Sequence, residues 1–140
     1  MKKLRVLVAA VVGVVAIGAA PVSASSAPIV ITYAKTCNEL IGLCEGSAGD
    51  GGTFSMQVTG FRPTGKAVQL TMTEEITVGD ISFTAQMTAH ASPAGFIVLN
   101  GTVTEGDFLG AQVHQRSNFV SAVGFMTSWV GELRLMPKSG

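Results

Sequence analysis

Charge is scarce in this chain. Asp, Glu, Lys and Arg make up 13% of its 140 residues, about half the usual share of a globular domain, and the basic ones are scattered. No stripe of Lys and Arg is available to neutralise phosphates, so neither nucleic acid nor an anionic lipid surface is expected as a partner. Histidine is scarcer still, with His90 and His114 alone. They form neither the i, i+4 pair nor the three-residue cluster of a zinc site. There is no Gly-x-Ser-x-Gly nucleophile elbow, and neither histidine has an evident Ser/Asp set around it. Glu45 and Asp50 lack the alternating spacing of a calcium loop. No metal and no cofactor is therefore expected.

Cysteine is limited to Cys37 and Cys44. Their Cys-x6-Cys spacing fits neither a Cys-x-x-Cys redox pair nor a zinc finger. Two close cysteines in an exported chain are expected to form a structural disulfide across a Gly-containing loop.

Export is read from the first residues. Lys2, Lys3 and Arg5 form a basic start, Val6 to Ala20 is an uncharged apolar run, and "PVSASSAP" supplies small residues at a cleavage spacing. Val22 and Ala24 make the better pair for cleavage after residue 24; Ser25 and Ala27 are the alternative. The apolar run is shorter than the roughly twenty residues that span a bilayer. The signal helix over 1–24 is thus expected to be removed, and the mature protein to be secreted, periplasmic or held in a bacterial cell envelope without a membrane span. Nine basic residues, less Lys2, Lys3 and Arg5, leave six against nine acidic ones and a mildly acidic single domain over 25–140.

What the mature part has in abundance is alternation. In "ISFTAQMTAH" the residues Ile81, Phe83, Ala85, Met87 and Ala89 share one side and Ser82, Thr84, Gln86, Thr88 and His90 the other. A helix would smear both sets around its circumference, whereas a strand separates them. The same period groups Phe54, Met56 and Val58; Val68, Leu70 and Met72; Leu109, Ala111 and Val113; and Trp129, Leu133 and Leu135. Turn signals at "RPTGK", "VGD", "SPAG" and "TEGDFLG" separate these runs. The fold class is all-β: an antiparallel meander of seven or eight strands closing into a small barrel, with a β-sandwich as the alternative. Asn100-Gly101 is a hairpin signal in its own right. We read Phe96 to Thr104 as one continuous strand, with Gly101 a bulge or a place of close packing. The stretch Cys44 to Gly52 reads as a connector, Phe108 to Asn118 as a strand, and Asn118 to Thr127 as an irregular apolar segment that plugs or covers one barrel mouth.

Three residues are candidate ligand contacts. His114 and Arg116 fall on the polar face of their strand, with Gln112 and Asn118, where Glu132 of the last strand could pair across the ladder. They either decorate a solvated sheet or, if the polar face is turned inward, line a cavity. Glu74 is the anomaly, because its core face reads Val68, Leu70, Met72, Glu74, Ile76, Val78. A carboxylate there needs a partner, a proton, or an escape to water through a bulge or the barrel rim. Otherwise it projects into a cavity and orients a ligand.

The run "GTVTEGDFLGA", Gly101 to Ala111, resembles hairpins of allene-oxide-cyclase and dirigent-like small β-barrels. That resemblance implies a barrel with an apolar cavity, in which some members steer the cyclisation or coupling of hydrophobic substrates; it assigns no catalytic residue. Together these features favour a non-catalytic binding module for a small hydrophobic molecule or a surface partner. A cofactor-free cyclase or isomerase and a structural envelope protein are the alternatives.

Overall fold

The computed structural model describes residues 27–65, 67–91 and 95–137. The signal segment predicted over 1–24 lies outside them. Eight antiparallel strands follow one another: β1 (Ile29–Asn38), β2 (Leu43–Ala48), β3 (Gly52–Thr64), β4 (Ala67–Val78), β5 (Ile81–Ala91), β6 (Phe96–Gly106), β7 (Gln112–Val123) and β8 (Met126–Met136). Each pairs with the next and β1 pairs with β8, so the meander closes into a barrel and the sandwich alternative falls. Closure is the physical answer to a chain of strands without helices. It hides the apolar face and leaves no edge of unpaired backbone groups.

The alternation works as expected: Phe83, Ala85, Met87 and Ala89 are all buried, as are Phe54, Met56, Leu133 and Leu135. Three large inward side chains each lie opposite an in-phase glycine on the neighbouring strand: Phe54 opposite Gly46, Met87 opposite Gly101, and Tyr33 opposite Gly131. A narrow eight-stranded interior has room for a ring only where the facing position has no side chain. Gly101 is therefore a place of close packing within a continuous β6: a Cβ there would stand 2.0 Å from the Gln86 carbonyl oxygen.

Three expectations are corrected. The connector predicted at Cys44–Gly52 is mostly β2, whose Cys44 and Ala48 point inward; the small residues of "EGSAG" disguise a strand that must pass under Phe54. The strand predicted from Phe108 begins only at Gln112. Residues 107–110 form a turn with Phe108 in the left-handed region (φ 62°), which leaves Leu109 65% exposed instead of in the core. The segment Asn118–Thr127 is neither plug nor irregular lid. It is the end of β7, a tight turn at Gly124 and the start of β8, with Phe119, Val123 and Phe125 exposed and only Trp129 tucked partly inward.

Cys37 and Cys44 are directly opposed across the β1–β2 hairpin and are joined by a disulfide, as expected. Replacing both by alanine should lower the unfolding free energy by about 2 kcal/mol, the loop-closure entropy returned to the unfolded chain. Urea denaturation of the two proteins checks it; equal midpoints would show that the hairpin is held by its ladder alone.

Candidate functional site

The barrel interior has two unequal halves. Towards the end where β4 meets β5 it is solid, closed by Ala48, Val78, Ala111, Val113 and Leu135, each at most 1% exposed. Towards the end carrying the β1–β2, β3–β4 and β7–β8 turns it opens into a cavity of about 190 Å3. Met56, Val58, Leu70, Met72, Ile97, Leu99 and Trp129 supply its walls, Lys35 and Ser117 its polar atoms, and Asn38, Glu39 and Gly42 its lip. Leu40, Ile41, Phe61, Val123 and Phe125, on the turns and strand ends of this side, are each at least 59% exposed. The lip is tied together by the Glu39 amide, which donates to the Phe125 carbonyl at 2.8 Å, and by the Thr127 hydroxyl, which donates to the Glu39 carboxylate.

Between the solid half and the cavity the interior carries a group of polar side chains: Tyr33 and Lys35 from β1, Glu74 from β4, and Gln115 and Ser117 from β7, all 6% exposed or less. Tyr33 crosses over Gly131. Its hydroxyl shares a hydrogen bond with Ser117 and donates to the Arg116 carbonyl at 3.1 Å. Its ring stacks on Phe54 at 4.8 Å between centroids. The Lys35 ammonium lies over both rings, 5.3 Å from the Phe54 centroid and 5.6 Å from that of Tyr33, at distances where ring quadrupoles attract a cation.

Glu74 is fully buried, and neither carboxyl oxygen has a hydrogen-bond partner; the same holds for both polar atoms of the Gln115 amide. Gln115 stands near enough to favour the charged forms of Glu74 and Tyr33 a little, drawing both proton affinities down, but outside hydrogen-bond geometry. Burial penalises the charged form and pushes Glu74 up to about 7, against the pull of Lys35. The same cause brings Lys35 down to about 8, opposed by the carboxylates of Glu74 and Glu39. Tyr33 is raised to about 12, first by burial. The site is thus a cavity with an amine in its lining and, in the buried polar layer next to it, a carboxyl whose proton affinity burial has brought close to that of the amine.

Of the residues singled out in the sequence, Glu74 faces inward, with neither bulge nor rim at its position, but it is not among the residues that line the cavity. His114 and Arg116 lie on the outer surface, so neither can share a ligand with Glu74 inside the barrel. His114 bonds Asn100 on β6 through Nδ1. Arg116 stands in register with Glu132 but donates to Asn118 at 3.1 Å and stacks on Phe96 at 3.9 Å, while Glu132 approaches Arg134 at 3.9 Å. Their outer face is a sheet surface satisfied by its own neighbours.

Sequence reading missed Lys35, Gln115 and Ser117, although the signal was present. Lys35 is in phase with Ile31 and Cys37, and the run Ala111, Val113 continues on the same side to Gln115 and Ser117. Among the described residues no group of three His, Cys, Asp or Glu side chains could hold a metal ion.

No family model matches this chain, nor does any curated protein or any solved structure.

Proposed function

We propose that the protein is an exported binding module that takes a small, neutral, apolar molecule into the open half of its barrel. The observation that carries this reading is the asymmetry of the interior: one half packed solid, the other an apolar cavity of about 190 Å3 beneath an apolar rim. An apolar cavity of about 150 Å3 accommodates benzene, so this one suits a ligand of benzene size or slightly larger. The rim offers such a molecule a dry approach from water or from a lipid phase. The resemblance of Gly101–Ala111 to allene-oxide-cyclase and dirigent-like hairpins points the same way, towards a barrel used for its cavity.

A cofactor-free isomerase or cyclase is the second reading, favoured by the Lys35 side chain in the cavity lining, an amine that could move a proton on a bound substrate. His114 has no part in it, being outside the wall.

Toluene is a direct probe. Burying seven carbons at about 0.8 kcal/mol each predicts a Kd on the order of 0.1 mM. Chemical shifts of Leu70, Leu99 and Trp129 should move in a saturable titration. Ala89→Leu, which adds carbons into the cavity from β5, should weaken that binding by roughly tenfold or more, on the scale of a methylene in a filled pocket. Shifts confined to the outer surface would refute the reading.

A further inference from the structure

We infer that Lys35 is a covalent capture site, its amine condensing with a small apolar aldehyde held in the barrel cavity to form a reversible imine. The inference rests on the binding reading above and names the ligand class for the same site.

Geometry comes first. Lys35 is a basic side chain pointing into the barrel and lining the cavity, 6% exposed. The two ring faces beneath its Nζ hold it in place, and among the described residues no carboxylate stands within ion-pair distance of it. The amine is thus positioned and desolvated, the condition under which lysines become nucleophiles. Its proton affinity, lowered by burial, leaves a neutral fraction near pH 7 that an ordinary surface lysine lacks.

Charge then selects the ligand. Lys35 and Glu74 together are neutral whether both are ionised or both are uncharged. A carboxylate ligand would arrive as a second buried anion beside Glu74, which is unfavourable in an apolar site. A neutral carbonyl compound brings no such charge, and its apolar body fits the walls.

The step balances without a co-reactant. Nζ adds to the carbonyl carbon, the C–O double bond opens, and the oxygen leaves as water with the two amine protons. The products are one C=N bond and one water.

The test uses the intact mature protein, benzaldehyde as probe and sodium cyanoborohydride as hydride donor, which converts the imine to a stable secondary amine. Mass spectrometry and peptide mapping should find one benzyl group, on Lys35 in preference to every other lysine, and excess toluene should suppress it. Lys35→Arg, which keeps the charge, should abolish the adduct in a protein whose circular dichroism still shows the folded barrel. If benzyl groups spread over the lysines without preference while toluene binds in the cavity, the capture proposal is overturned and the binding reading stands. If neither toluene nor benzaldehyde reaches the cavity, both fall. The toluene competition is read on the unsubstituted protein, so the outcome does not depend on the variant folding.

Discussion

Lys35→Met is expected to turn the protein into one whose stability falls continuously with pH, by about 4 kcal/mol between about pH 5 and pH 8, at the linkage slope of about 1.4 kcal/mol per pH unit. In the unsubstituted chain Glu74 is raised from 4.5 to about 7. Its contribution to stability is fully present below 4.5 and is lost as pH rises through about 7. Lys35, lowered from 10.5 to about 8, acts in the other sense: its contribution is present above 10.5 and is lost as pH falls through about 8. Both contributions are therefore absent between about 7 and 8, and the native stability curve should level there and recover in base. Removing Lys35 removes the charge that holds Glu74 down, so the carboxyl climbs further and the fall continues past neutrality.

The companion double variant, Lys35→Met with Glu74→Met, should reverse the penalty. Replacing a buried charge pair by apolar side chains of similar volume is stabilising by about 1–4 kcal/mol in favourable cases. The gain over the unsubstituted protein should be widest between about pH 7 and 8. Urea unfolding across pH checks all three proteins. A flat curve for Lys35→Met would mean that Glu74 reaches water. Such a gain would also indicate that the pair is retained for what it does inside the barrel, since the fold is better off without it.

Gly131→Ala is expected to be nearly as damaging, by about 3–5 kcal/mol, as for the loss of a packed aromatic side chain. A Cβ at this position would stand 2.0 Å from the Arg116 carbonyl oxygen and 2.6 Å from the Tyr33 hydroxyl. The carbonyl belongs to the β7–β8 ladder and cannot retreat without breaking it, so Tyr33 and the ladder are both strained. Tyr33 loses its bonds to Ser117 and the Arg116 carbonyl, and the stack on Phe54 loosens. Tyr33→Phe, which deletes only the hydroxyl, should cost about 1 kcal/mol. Adding Tyr33→Ala to Gly131→Ala should not rescue stability, because the carbonyl contact remains. Rescue would show that the ring alone is the obstacle. The measurement is the unfolding midpoint of each variant under one set of conditions.

The two predictions turn on residues of unequal visibility. Glu74 stood out in the sequence because it interrupts an otherwise apolar face, Met72 and Ile76 on either side. Lys35 did not, since one lysine between Ala34 and Thr36 looks like any surface lysine unless the phase set by Ile31 and Cys37 is carried across it. Gln115 and Ser117 escaped for the same reason, the apolar run having ended at Val113. Gly131 was invisible as a core position because its contribution is the absence of a side chain. The exposed turn at Phe108 and the hairpin at Gly124 were misjudged because apolar residues there were assumed to need burial. At a turn on either end of the barrel an apolar side chain can remain in water where the fold leaves it no partner.

Local periodicity determined the strands, the inward set and the need for closure, because a period of two fixes which side each residue faces before any partner is known. The staple at Cys37 and Cys44 followed from spacing in the same way. Whether Glu74 was inside or at a rim, which side of the wall held His114 and Arg116, and whether the interior was filled or hollow were decided only by tertiary structure. Those questions depend on how eight strands stagger around the barrel, which sets what lies across from each side chain, and no single strand carries that information.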